Sequence, residues 1–200
     1  MVVSARSNAS LGRLYPHFYN DLKFIGNPRL EQKLVTAIGE AVALGEQKFG
    51  QDFGGWYPES NEFGINPLRP SHLNALTGAS PNRWIWTSVN ATSVTWSSSD
   101  SFIDVFNLND DEILLVYGYF NLSVAQNTLE IQIKPGNVTL PVFNLQPMRM
   151  KSEQYIIFPQ PIMVAPRSPF AIDASCIAVA TEEAGLLGYF FASCSTLITR

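Results

Sequence analysis

Charge is scarce in this sequence. Asp, Glu, Lys and Arg make up 15% of its 200 residues, against roughly 25% in an average soluble domain. A surface so poor in charge implies that neighbouring protein, or sugar, covers part of it. Histidine is scarcer still, with only His17 and His72. A His-dependent triad therefore has two possible bases, and no GxSxG elbow accompanies either. Cysteine is limited to Cys176 and Cys194, fewer than a secreted disulfide scaffold carries. The two either pair across adjacent strands or are small buried core residues. No run reaches the roughly 18 apolar residues of a membrane-spanning helix, and AGLLGYFFASC near the end is the most apolar stretch. The opening MVVSARSNASLGRLY lacks the apolar centre of a signal peptide. Glycines in FGGWYPE are followed by neither a lysine nor a helix start, so no phosphate loop or dinucleotide fingerprint is present. The formal net charge of −4 argues against a general nucleic-acid binder. No basic cluster offsets it, since the first 25 residues hold Arg6, Arg13 and Lys23 against Asp21.

Large apolar residues are plentiful. Hydrophobic residues reach 46%, with 13 Phe, 7 Tyr and 4 Trp, rings of the kind enriched at protein interfaces. Residues 1–26 mix polar and aromatic residues without a period, which reads as an extended arm packed on its own domain or on a neighbour. A helix is predicted over 27–49. Asn27 is a good N-cap, Pro28 suits the first turn, and Leu30, Leu34, Ala37, Ile38, Ala41 and Leu44 form one stripe. Gly50 ends it. Residues 50–82 read as a long ordered connection. Their Trp56, Tyr57, Phe63, Ile65 and Leu68 are too apolar for a solvated linker.

From residue 83 to 200 the period changes to two. SFIDVFN, EILLVYGYFNLS, TLEIQIKPG, VTLPVF, EQYIIF, PIMVA, FAIDASCIAVAT and GLLGYFFASCSTLI follow one another, most of them bounded by Asn, Asp, Gly or Pro. Strands in such number without intervening helices give a mainly β fold. We expect a single jelly-roll-like antiparallel β-sandwich, with an N-terminal arm and one amphipathic helix. Pro159 and Pro161 then stiffen the approach to IMVA, and Pro166 and Pro169 bracket the turn after it. Prolines so placed belong at corners or a sheet edge.

Candidate chemistry is thin. Asp110, Asp111 and Glu112 in NLNDDE could supply oxygen ligands to Ca²⁺ or form a plain solvated turn. Trp84 and Trp86, with Trp56, could stack sugars on a flat face or be core and interface residues. His72 in RPSHLNAL reads as a loop residue bonded locally. N-x-[ST] sequons occur at Asn8, Asn90, Asn121 and Asn137. No residue is assigned as catalytic, cofactor-binding or metal-binding, and no cofactor is expected.

The strands from SFIDVFN to GLLGYFFAS, above all EILLVYGYFNLS, TLEIQIKPGNVTLPVF and YIIFPQPIMVAPRSPFAIDASC, resemble the jelly-roll capsid proteins of icosahedral viruses. The resemblance covers roughly the last half of the chain. It implies a non-enzymatic virion subunit, assembled in the host cell, that tiles a shell through its sandwich while its arm clamps neighbours. Its partners would be copies of itself and other capsid proteins, with neither a membrane span nor a small-molecule substrate. The weakly basic arm makes nucleic-acid contact weak or absent. A chain starting near Asn82 should then keep the sandwich and lose assembly. Two rival readings are a carbohydrate-binding or adhesive sandwich that exposes Trp56, Trp84 or Trp86, and a cupin-like enzyme with a metal on His17 or His72.

Overall fold

The computed structural model describes residues 25–73, 83–88 and 100–199. The expected arm therefore lies outside the described residues, apart from Ile25 and Gly26. The first long element among the described residues is α1 (Pro28–Phe49). Asn27 caps it by accepting from the backbone N–H groups of Arg29 and Leu30, and Gly50 closes it in the left-handed conformation. Its buried stripe runs Leu34, Ile38, Ala41, Val42 and Gly45. The stripe continues at Gly45, where a β-carbon would lie 2.6 Å from the Phe63 ring, so only glycine lets the helix approach so closely.

Ten strands follow. They are β1 (Asp52–Gly55), β2 (Glu62–Pro67), β3 (Ile85–Thr87), β4 (Asp100–Asn107) and β5 (Glu112–Asn121). After these come β6 (Thr128–Pro135), β7 (Phe143–Asn144), β8 (Tyr155–Val164), β9 (Pro169–Cys176) and β10 (Thr181–Ser193). A 3₁₀ turn lies at Pro70–His72, and two short helices are α2 (Gln146–Met150) and α3 (Cys194–Thr199). The CSTLIT end of the last apolar run is thus helix rather than strand.

One sheet has the order β1-β2-β10-β5-β8, with β3 alongside β10, and the other has the order β4-β9-β6-β7. The antiparallel partners are nested along the chain: β2 with β10, β4 with β9, β5 with β8, β6 with β7. The chain is therefore one long antiparallel ribbon rolled up so that its layers form two facing sheets. That is the jelly-roll arrangement, in which closing the roll leaves few free edges. β1 adds to the edge in parallel with β2.

The segment read from sequence as a connection over 50–82 differs from this picture, because β1 and β2 lie inside it. β2 pairs with Tyr189–Ser193 of β10, and β3 pairs with Thr181–Glu183 of the same strand. The two are halves of one layer of the ribbon, interrupted by residues 68–84. EFGINP alone is too short to show a strand period, which hid this half of the layer, whereas IWT falls where the period of two begins. A chain starting at Asn82 would lose an inner strand of the larger sheet.

Two cores result. Between the sheets pack Trp86, Phe102, Leu114, Ile131, Phe158, Ile172 and Phe190, among others. On the outer face of the larger sheet, α1 packs its stripe against Phe63, Ile65, Ile113, Leu115, Tyr189 and Phe191. The outward residues of β5 and β10 are therefore as apolar as the inward ones. That is why EILLVYGYF and GLLGYFFAS read as continuous apolar runs instead of alternating ones.

Proline shapes the exposed edge of this sheet. EQYIIF and PIMVA are not two strands but β8, a single strand with a bulge. Val116 faces Ile162 and Gly118 faces Ile157, so Phe158 to Pro161 bulge opposite Tyr117. Pro159 and Pro161 lack N–H groups to offer another chain, and Lys33 Nζ donates to the Pro159 carbonyl at 2.7 Å. Tyr117 is also the extra residue of β5 against β10, where the register shifts. Here a β-carbon on Gly188 would lie 2.5 Å from the Leu115 carbonyl oxygen. That neighbour is central-sheet backbone and cannot move aside. Gly188→Ala is therefore expected to cost about 1–3 kcal/mol by overpacking, read as a lower urea midpoint. An unchanged midpoint would show that the strands can separate at the bulge.

Candidate functional site

The most distinctive construction lies at one end of the sandwich, where the β5–β6 loop (residues 122–127) meets the β9–β10 loop (residues 177–180). Glu182, at the start of β10, is only 1% exposed. One of its carboxylate oxygens accepts from Asn121 Nδ2 and the Asn127 N–H, the other from the Thr128 N–H and the Thr128 hydroxyl. These contacts satisfy the charge with hydrogen bonds alone, as a buried carboxylate requires. Tyr119 lies alongside and receives a hydrogen bond from Asn121 Nδ2. Burial, reinforced by the nearby Glu182 charge, pushes the Tyr119 phenol far above its usual range, so it stays protonated.

Further bonds stitch the loops together. The Leu122 N–H donates to the Glu183 carbonyl, and the Glu183 N–H donates to the Ser123 hydroxyl. Gln126 Nε2 donates to the carbonyls of Asn121 and Glu153. The Ile177 N–H donates to the Asn127 carbonyl, joining the two loops directly. Ser88, just past β3, donates its hydroxyl proton to the Ala178 carbonyl and accepts from the Ala180 N–H.

What this scaffold presents is apolar. Val124 is 107% exposed, Val179 61%, Leu122 47% and Ile177 40%. Neither LSVAQN (122–127) nor IAVA (177–180) contains a charged residue. Loop tips are ordinarily polar, and apolar side chains grouped in one exposed place mark an interaction surface. Beside it, a hollow of about 420 Å³ is bounded by the 122–127 loop together with Arg149, Ser152 and Gln154. Sequence reading did not single out this end, although the lack of charge in both loops was there to be seen.

The residues that sequence did single out are placed apart. The three acidic residues of NLNDDE diverge. Asp110 pairs with Arg167, Asp111 accepts from the hydroxyls of Ser193 and Thr196, and buried Glu112 accepts from Asn109. Arg167, hydrogen-bonded to Asp110, holds that carboxyl below its ordinary range. Among the described residues no group of three His, Cys, Asp or Glu is placed to hold a metal ion. His72 is buried, accepts from the Arg69 N–H through Nδ1 at 3.1 Å, and stacks on Phe190. His17 lies outside the described residues.

Trp86 is fully buried, while Trp84 and Trp56 are half-buried against Phe120 and Tyr189. These three rings thus form no flat exposed platform. Cys176 and Cys194 are both free. Cys176 lies beside Thr128 and Cys194 follows the far end of β10, so roughly 40 Å of strand separates the two regions and a disulfide cannot form. Asn121 is buried on Glu182, whereas Asn137 is exposed in the turn after β6. Asn8 and Asn90 lie outside the described residues. Among the described residues no helix is long and apolar enough to cross a membrane.

No protein-family model matches the chain, and no curated protein sequence is significantly similar to it.

Proposed function

We propose that this chain is a structural subunit of a viral capsid, assembling through its β-sandwich with the N-terminal arm of residues 1–26 clamping neighbouring copies. The observation that carries this reading is the nested ribbon, with β2-β10-β5-β8 facing β4-β9-β6-β7. A fold by itself hosts many functions. Two features of the chain favour assembly over the alternatives. Its charge content suits large contacts with other protein. Four exposed apolar residues, Leu122, Val124, Ile177 and Val179, lie on two hydrogen-bonded loops, whereas Trp56, Trp84 and Trp86 form no exposed sugar-binding platform.

Electron microscopy and sedimentation of the full chain at rising concentration test the reading. Closed particles of uniform size are the expected result. A chain that stays monomeric and binds an immobilised glycan would replace this reading with the carbohydrate-binding one.

The structure also refines the truncation that tests the clamp. A chain starting at Ile25 keeps α1, β1 and β2 and is expected to melt cooperatively while forming no particles. A chain starting at Asn82 lacks the partner of Tyr189–Ser193 and is expected not to fold cooperatively. Normal particles from the chain starting at Ile25 would remove the clamp from the proposal and leave the sandwich as the sole means of assembly.

A further inference from the structure

We infer that the uncharged loop end, formed by residues 122–127 and 177–180, is a contact surface for a second copy of this chain. The inference rests on the reading of the protein as a self-assembling subunit, and it names the face used. Three observations carry it.

The first is chemical. Leu122, Val124, Ile177 and Val179 are exposed on two loops joined by the Ile177–Asn127 backbone hydrogen bond, and neither loop contains a charged residue. In a two-fold contact the residues at the axis meet their own copies. A charge at the axis would face its own sign, a juxtaposition that costs several kcal/mol. A surface that has shed charge altogether avoids this cost. A charged heterologous partner would instead call for complementary charges.

The second is mechanical. Glu182, itself buried, fixes the backbone of Asn127 and Thr128 while Asn121 ties the other end of the loop to the same carboxylate. The Val124 tip is held before any partner arrives, so little ordering entropy remains to be lost on binding.

The third is the arrangement of charge around the face. Arg149, Ser152 and Gln154 line the hollow opposite the 122–127 loop, and exposed Glu183 is hydrogen-bonded to Leu122 and Ser123, so an uncharged centre has a polar margin. That is the usual anatomy of a protein–protein contact.

The test is sedimentation velocity on the full chain and on V124D, V124K and V179D, at low and high salt. Because both positions are exposed, the variants should melt like the parent, which circular dichroism checks. The parent should associate with rising concentration, and salt should not weaken that association, since no charge pairs lie at the centre. Each variant should associate roughly tenfold or more weakly, because a charge would be buried without a partner. An equimolar mixture of V124D and V124K should regain association, which a contact between copies allows. Several outcomes overturn the inference. If parent and variants assemble equally, this face is not the contact, while the subunit reading stands. If the parent never associates, both fall. If the variants lose association and the mixture does not recover it, the Val124 tips do not meet at a two-fold axis and the charge argument falls. If the parent floats with neutral phosphatidylcholine vesicles as a monomer, the occupant is not a second copy.

Discussion

Glu182→Ala is expected to destabilise the protein by about 3–5 kcal/mol, because several buried donors lose their acceptor at once. The carboxylate serves the Asn127 N–H, the Thr128 N–H, the Thr128 hydroxyl and Asn121 Nδ2 together. A buried donor left without an acceptor costs about 1–3 kcal/mol. Water entering beside the loop offsets part of that sum. Glu182→Gln preserves shape but turns one acceptor into a donor that faces other donors, so its loss should be smaller and still measurable. Urea unfolding reads both, and hydrogen exchange at Asn127 and Thr128 should quicken in both. A midpoint change worth under about 1 kcal/mol for the alanine variant would show that the loop finds other acceptors and that Glu182 is no keystone.

Trp86→Ala carries an equally large expected loss, about 3–5 kcal/mol. Trp86 is fully buried on β3, packs edge-on against Phe102, and donates its indole N–H to the Ser101 carbonyl at 3.3 Å. β3 belongs to one sheet and Ser101 to β4 of the other, so this one side chain ties the two layers at the loop end. Its deletion leaves a large cavity bordered by sheet backbone, which collapses poorly. Trp86 is also the register partner of Glu182. The two losses should therefore not add, and the double variant should depart from additivity by roughly 0.5–3 kcal/mol. Additive losses in a double-mutant cycle would argue that the indole and the carboxylate network act separately.

Much of the fold was legible in the sequence. Local rules identify α1, since Asn27, Pro28 and Gly50 act within a turn of where they stand. The alternation of TLEIQIK identifies β6, one face of which is buried. The prolines of YIIFPQPIMV point to an edge, which is where β8 lies. Other features had no local signature. EFGINP is a strand because Tyr189–Ser193 lies ready to pair with it, more than a hundred residues along the chain. CSTLIT turns helical after β10 leaves the sheet, although its Thr and Ile residues favour strands. The same distance effect hid the loop end. Glu182 in TEEAG reads as an ordinary turn carboxylate, and only the pairing of β10 with β3 and β5 brings it beneath the 122–127 loop.

The sequence by itself determined the fold class. Hydrophobic period, turn chemistry and proline placement are short-range properties, and together they specify a mainly β chain with one long helix. Tertiary structure alone decided where the polar residues went. Three adjacent acidic residues were sent to three separate partners, His72 was sealed on Phe190, and one glutamate became a buried anchor for an apolar loop. The physical reason is that a buried polar group is defined by donors and acceptors that the ribbon brings together only when it rolls up. Their separation along the chain carries no trace of that meeting.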